Sequence, residues 1–275
     1  MLQWATGGLF FLWVTTRRRE VSLGYGWLMR GTYIIIAGLG LIAGLRWGSI
    51  PVREVSAAAV VVAGAIALAS SIVRRRAGVS GHKAEHDRRT ERVAAMTGIE
   101  RSAAARDDSL PEFDPRLDLI APVLGVVGLV AAGFEAETNT VLAVARNLAG
   151  AAFIGAVTDA MLLGHWYLVQ PGLKRASLLE LVRYVGWTWF PEVVLLLVPT
   201  GMVSVWTGAI DDGYQGILGW FWGVSAVSTI VLVGVTVAAL RERSYSAVMA
   251  ATGLLYLAIL TAFGTDLVAR AVLVG

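Results

Sequence analysis

The sequence predicts an all-α integral membrane protein, a polytopic bundle of about eight transmembrane helices. The chain has 275 residues, of which 56% are hydrophobic and 16% are charged, whereas about a quarter of the residues in a soluble domain are charged. Its apolar residues form blocks long enough to cross a hydrocarbon layer of about 30 Å. Lysine and arginine cluster at the ends of these blocks, where they orient membrane proteins.

Composition and motifs exclude several classes of function. The net charge is only +3, and the basic residues lie at the ends of apolar blocks, so nucleic acid is not an expected partner. The absence of cysteine excludes disulfides, thiolate metal sites and a cysteine nucleophile. No phosphate-binding glycine loop or serine-hydrolase motif occurs. The sequence identifies no cofactor, and it gives no sign that the chain is an enzyme by itself.

Eight apolar segments are predicted to span the bilayer. In chain order they cover residues 2–16, 25–46, 55–73, 117–133, 141–170, 176–210, 213–240 and 245–274. The first segment is short for a crossing, so an interfacial helix is its alternative.

The basic connections predict the orientation. Lysine and arginine dominate the connections at 17–19, 74–116, 174–175 and 241–243, and these alternate with connections that carry acidic residues. The positive-inside rule places the basic connections in the cytoplasm and both termini outside. The cytoplasmic polar loop at 74–116 is too small to bury its own core, so residues 1–275 form one domain. We expect the inner membrane of a bacterium, with the lipid bilayer and other membrane subunits as partners.

Two residue pairs suggest an internal repeat. Trp13 and Arg30 are 17 residues apart, as are Trp166 and Arg183, and each pair joins one predicted span to the next. A shift of 153 residues superposes the pairs and would relate the first four spans to the last four. Chance agreement between apolar segments is the alternative.

The fifth predicted span carries an ordered set of polar residues. At 100° per residue, Asn147, Thr158 and His165 fall on one line of the helix, and Asp159 lies on another face near the middle. Polar residues at membrane depth are expected to face other helices or a water-filled cavity. We therefore expect this helix to line the interior of the bundle.

Near the end of that span, three residues form a candidate ligand site. The neutral imidazole of His165 can relay a proton or bind a quinone carbonyl, and Trp166 and Tyr167 supply flat apolar faces with polar tips. An aromatic belt at the membrane surface is the alternative. A bis-histidine haem is not predicted, because His165 is the only histidine within a predicted span.

The sixth predicted span combines a deep carboxyl group with two prolines. Pro191 and Pro199 remove backbone donors, and the carbonyls they free need other partners at membrane depth. Glu192 lies near the middle, where insertion of a charge costs about 2.5–3.5 kcal/mol, so we expect a neutral carboxyl that acts in a proton pathway or is merely structural. Arg183 is spaced to pair with Glu180 one turn away.

The remaining charged clusters are predicted to be mainly structural. Asp266 and Arg270 are four residues apart in the last span, at a height comparable to that of Arg146, so we expect an ion-pair cluster that ties these helices together. His82 and His86 are also four apart, but the surrounding charges favour a solvated face, so no metal site is predicted.

Two classes of function remain open at this stage, beside a structural protein without a ligand. The first is an accessory or anchor subunit of a membrane complex, with a pocket for a quinone-like molecule near His165, Trp166 and Tyr167. The second is a proton-coupled permease that uses Asp159 and Glu192.

Overall fold

Nine α-helices make up most of the computed structural model, which describes residues 1–80, 111–135, 139–170, 173–242 and 244–273. No β-strand occurs in these ranges. The helices are α1 (Leu2–Thr16), α2 (Leu23–Trp47), α3 (Pro51–Val73), α4 (Ile120–Phe134), α5 (Thr140–Val169), α6 (Arg175–Leu197), α7 (Gly201–Trp206), α8 (Ile217–Arg241) and α9 (Tyr245–Leu273), with 3₁₀ turns at Arg74–Arg76 and Pro115–Leu119.

Six of these helices are long and apolar enough to cross a membrane. They comprise Leu23–Trp47, Pro51–Arg76, Pro115–Phe134, Thr140–Tyr167, Ile217–Arg241 and Ser246–Leu273. This agrees with the predicted all-α multi-pass bundle. The predicted count of eight stays a prediction, because α1 has only 15 residues and α6 carries charged residues along its length.

Two predicted segments differ in detail from the structure. The predicted span 176–210 is divided into α6 and the short α7, which are separated by a break that contains Pro199. Most of the predicted polar loop 74–116 lies outside the described residues, as do His82 and His86.

Local sequence signals set several helix ends. Asn139 precedes α5, and its side-chain oxygen accepts a hydrogen bond from the Leu142 N–H at 3.1 Å, which satisfies one of the free donors of the first turn. Pro51 occupies the first turn of α3, where the missing N–H costs nothing. Asp114 accepts from the Arg116 N–H at 3.0 Å and so starts the turn that leads into α4.

Helix α1 lies at the centre of the bundle. Ten of its 15 residues are buried, and it packs against α2, α4, α5 and α6. The helix is thus part of the core of the bundle, and its crossing of the bilayer stays a prediction. A Cβ atom at Gly7 would overlap the Ala151 carbonyl, and one at Gly155 would overlap the Gly7 backbone. The absence of side chains at these two glycines lets α1 and α5 meet backbone to backbone.

The order of helix contacts repeats in the two halves of the chain. Helices α1 to α4 form a closed set with the contacts α1–α2, α2–α3, α3–α4 and α4–α1. The second half has the same set, namely α5–α6, α6–α8, α8–α9 and α9–α5, and the α1–α5 contact joins the halves. This order agrees with the predicted repeat. The two arginines that the repeat would superpose differ in environment, however, because Arg30 is buried and Arg183 is exposed.

The bundle has two ends, which we call the Met1 end and the Arg17 end after residues that lie there. The Met1 end contains Met1, Trp47, Arg53 and Asn147, which line one cavity. The Arg17 end contains the ion pairs from Arg17 (2.5 Å) and Arg18 (3.1 Å) to Glu180.

These ion pairs correct one prediction. Glu180 pairs with Arg17 and Arg18, which follow α1, and not with Arg183 as expected. The packing of α1 beside α6 brings these two guanidinium groups close to it.

Candidate functional site

The centre of the candidate site is a pair of carboxyl groups that belong to α6 and α9. Glu192 is fully buried, and neither of its oxygens receives a hydrogen bond from the described part of the chain. Asp266 of α9 lies nearby, because Val193 and Val268, which are close to the two acids in sequence, pack against the same apolar cluster, and its charge acts on Glu192. Two carboxyl groups can form a hydrogen bond only if a proton lies between them, because a carboxylate has no donor. We call these two residues the carboxyl pair.

Two arginines lie beside the carboxyl pair. Arg270 Nε donates to Asp266 Oδ1 at 2.7 Å, which confirms the predicted pairing of these residues one turn apart. Arg270 also reaches α5, where its Nη2 donates to the Arg146 carbonyl at 3.0 Å. Arg146 is the second cation close enough to act on Glu192. Two guanidinium groups therefore lie near the pair.

Arg146 also completes the end of α6. Its Nε donates to the Leu195 carbonyl at 2.9 Å and its Nη2 to the Val198 carbonyl at 2.5 Å. The Leu195 carbonyl would meet an N–H four residues later in a continuous helix, but Pro199 has none. The guanidinium thus supplies the partner that the sequence predicted for this freed carbonyl.

Two amide side chains lie on the Met1 side of the carboxyl pair. Asn147 donates to the Leu129 carbonyl at 3.1 Å and accepts from Arg270 Nη1 at 3.3 Å. The Gln3 amide fits best with its oxygen toward Arg270 Nη2 (2.6 Å) and the Ala151 N–H (3.1 Å), because the opposite orientation would place its NH₂ group against two donors. Both amides therefore hold Arg270 in place.

Asp159 belongs to a separate cluster. Its carboxyl group is fully buried and lies within reach of the Tyr25 hydroxyl at 3.4 Å and the Tyr33 hydroxyl at 3.2 Å, both from α2. The Tyr33 ring occupies the space where a Cβ atom at Gly8 would lie. Sequence analysis missed the two tyrosines, although two phenols within one apolar span were a usable signal.

The polar line of α5 is internal over part of its length. Asn147 is half-buried, and Thr158 is buried and accepts from Trp4 Nε1 at 3.0 Å. The imidazole of His165 is exposed, and its Nδ1 lies 3.2 Å from the hydroxyl of Tyr256. The expectation of an internal position is therefore wrong for His165, because the line leaves the interior near the Arg17 end, where Tyr256 of α9 is the polar group beside it.

The three residues of the predicted ligand site point in different directions. His165 is at the bundle surface. Trp166 Nε1 donates toward Ser22 Oγ and Gln170 Oε1, both at 3.2 Å. Tyr167 is buried and donates to the Lys174 carbonyl at 2.6 Å. They are neighbours in sequence, but each contributes to a different contact of the bundle.

A buried ion pair that sequence analysis missed lies at the Arg17 end. Arg30 Nε and Nη2 donate to the two oxygens of Asp118, each at 2.7 Å, and both side chains are about 1% exposed. The Arg30 guanidinium also lies over the Phe113 ring, 4.4 Å from its centre. These contacts fasten the segment that precedes α4 onto α2. An arginine two turns inside an apolar span was the signal that was available.

Comparisons with protein-family models, with curated proteins and with solved structures found no match for this chain. Within the described residues, no group of three histidine or acidic side chains is arranged to hold a metal ion. The functional argument therefore depends on the geometry of the chain alone.

Proposed function

We propose that the chain is a proton-coupled permease, in which the carboxyl pair Glu192–Asp266 takes up and releases a proton. The observation that carries this proposal is a fully buried glutamate that has no donor among the described residues and lies where α6 and α9, the helix that carries Asp266, pack against one apolar cluster. Two buried acids with only a structural role would be costly, because an apolar pair of equal volume would fill the same space without the desolvation of polar groups.

The charges around the pair favour one position for the proton. Asp266 accepts a hydrogen bond from the Arg270 guanidinium, which stabilises its charged form. Glu192 has no such donor, so it is the better carrier of the proton. Approach of Arg146 or of a cationic substrate would favour release of that proton.

The backbone around Glu192 supports movement. Pro191 lies inside α6, and α6 ends a few residues later, before the short α7. Helix breaks at membrane depth occur where the backbone lines a cavity or binds a ligand. We propose that this end of α6 changes position when Glu192 gains or loses its proton.

The proposal includes a topology. Eight spans, with the short central α1 and the charged α6 counted as two of them, place both termini outside and the basic Arg17 end in the cytoplasm of a bacterial inner membrane.

The decisive experiment measures the proton directly. Infrared spectra of the reconstituted protein should contain a C=O band of a protonated carboxyl group whose amplitude changes with bulk pH. Glu192→Gln should remove this band and slow the decay of an imposed pH gradient across the vesicles at least tenfold. Glu180→Gln is the matched control, because Glu180 is an acid of the same helix that is already paired with two arginines at the Arg17 end, and it should change neither signal. A band that survives in Glu192→Gln, or one that ignores bulk pH, would overturn the proposal.

Asp159 is a weaker candidate for the same role. Its carboxyl group already has partners in the Tyr25 and Tyr33 hydroxyls, so it is less free than Glu192 to exchange a proton with a substrate or with water. We expect Asp159→Asn to reduce the decay of the pH gradient only in part.

A second candidate function is that of an accessory subunit in a membrane complex. His165 and Tyr256 form a polar pair on the surface of α5 and α9, and acyl chains would leave the outer nitrogen of His165 without a partner. A neighbouring subunit or the head group of a quinone-like molecule would satisfy it. Quenching of tryptophan fluorescence by a short-chain quinone, reduced in His165→Ala and unchanged in the exposed control Arg183→Ala, would support this function.

A further inference from the structure

A cavity of about 530 Å³ opens at the Met1 end of the bundle. It lies between the start of α1, the end of α2, α4 and the first turns of α5. Its lining includes Gln3, Ala43, Gly44, Arg53, Ala132 and Asn147. At roughly 30 Å³ for each water molecule in the liquid, the cavity has room for many water molecules. We call it the Met1 cleft.

The inner wall of the Met1 cleft contacts the machinery of the carboxyl pair. Gln3 and Asn147 line the cleft, and both also contact the Arg270 guanidinium. Arg270 in turn holds Asp266 at 2.7 Å. One layer of two amide side chains therefore separates the cleft from the charged groups beside Glu192.

A buried carboxylate lies directly behind Gly44 of the cleft wall. The Glu54 side chain is 6% exposed, and its Oε1 accepts from Arg53 Nε at 2.9 Å. Its Oε2 has no donor among the described residues. Both oxygens lie against Gly44, which lines the cleft. A buried carboxylate oxygen without a protein donor is normally satisfied by ordered water.

We propose that the Met1 cleft is a water-filled entrance through which protons from the Met1 side reach Asp266 and Glu192. Gln3 and Asn147 are the positioning residues at its inner end. This inference rests on the proposed function, since an entrance matters only if the carboxyl pair exchanges a proton.

The first test asks whether the cleft holds water, and it does not depend on the function of the pair. The chain has no cysteine, so single cysteines can be introduced without background. Ala43→Cys lies in the cleft, whereas Ile42→Cys, its neighbour at the same height, lies on the exposed outer face of α2. A charged thiosulfonate reagent reacts with thiolates, which form in water and not in hydrocarbon.

We expect the charged reagent, added from the Met1 side, to label Ala43→Cys at least tenfold faster than Ile42→Cys. Ala132→Cys should behave like Ala43→Cys, because it lines the same cleft from α4. Equal rates at the inner and outer faces, or labelling of Ala43→Cys only from the Arg17 side, would overturn the inference.

The second test connects the cleft to the pair. Transfer of the reconstituted protein into heavy water should shift the C=O band assigned to Glu192, and attachment of the reagent to Ala43→Cys should slow that shift at least tenfold. Asn147→Leu should also slow it without removing the band. If the labelled cleft leaves the shift unchanged while the band still depends on Glu192, the entrance is wrong and the proposed function stands. If no Glu192 band exists while labelling succeeds, the proposed function fails and the cleft is a cavity without this role.

Discussion

Arg146 Nε donates a hydrogen bond of 2.9 Å to the carbonyl of Leu195, the group that Pro199 leaves without its helical partner. The side chain of one helix thus takes the place of a backbone donor of another. This contact fixes the end of α6 close to Glu192, where the proposed proton site lies.

Replacement of Arg146 should therefore destabilise the bundle. Arg146→Met removes two hydrogen bonds from a charged donor, each worth about 1.5–3 kcal/mol, and leaves two carbonyls unsatisfied. We expect a clear fall in the denaturant midpoint in detergent micelles. Arg183→Met is the control, since Arg183 is exposed on α6, and its midpoint should stay near that of the parent protein. Equal midpoints for the two variants would show that the end of α6 does not need Arg146.

The buried pair Arg30–Asp118 should behave differently when one or both partners change. Loss of one partner leaves an uncompensated buried charge, so Arg30→Met or Asp118→Leu should each lower the free energy of unfolding by about 3–5 kcal/mol. The double variant should recover much of that loss, because an apolar pair of similar volume needs no compensation. Strictly additive losses in a double-mutant cycle would contradict the pairing. Disruption of the more exposed Lys174–Glu20 pair should cost about 1 kcal/mol or less.

The close contact of α1 with α5 predicts an unusual response to small substitutions. A methyl group at Gly7 meets the α5 backbone, whereas one at Gly31 meets nothing within 4 Å. Gly7→Ala should destabilise the protein by about 1–3 kcal/mol through overpacking. Gly31→Ala should stabilise it by about 0.5–1 kcal/mol, because alanine favours the helix. Thermal unfolding of both variants in the same detergent measures the difference, and a stabilised Gly7→Ala would refute the close contact.

The proposed topology can be tested with cysteines in two exposed connections. Ser80 and Ala209 are both exposed, and they lie on opposite sides of the membrane in the proposed arrangement. In intact cells an impermeant thiol reagent should label Ala209→Cys, and it should reach Ser80→Cys only after the membrane is opened. The reverse pattern would invert the orientation.

The sequence was sufficient for features that depend on local pattern. The apolar segments, the pairing of Asp266 with Arg270 and the need of the Leu195 carbonyl for a partner all follow from residue spacing within one helix or from the chemistry of proline. The depth predicted for Glu192 assumed one continuous span over 176–210, whereas α6 already ends at Leu197, so its position in the membrane stays a prediction.

Features that depend on which helices meet could not be predicted. Asp266 lies 74 residues from Glu192 in the chain, and the two come close only because the ends of α6 and α9 pack in one apolar cluster. His165 satisfies the same helical spacing as Asn147, but the neighbouring helices cover only one of them. The short length of α1 also concealed its central position. A helix that is enclosed by other helices is stabilised by protein contacts and does not need the full thickness of the bilayer.

The central position of α1 affects how the protein is made. This helix leaves the ribosome before α2 to α6, yet its final neighbours include α5 and α6. Until α5 and α6 are inserted, this helix of 15 residues has only α2 and α4 as neighbours, and Gly7 lacks the α5 backbone against which it packs. The core therefore closes late in biogenesis, around a helix made early, and a chain that stops after α4 would present an unfinished surface to membrane proteases.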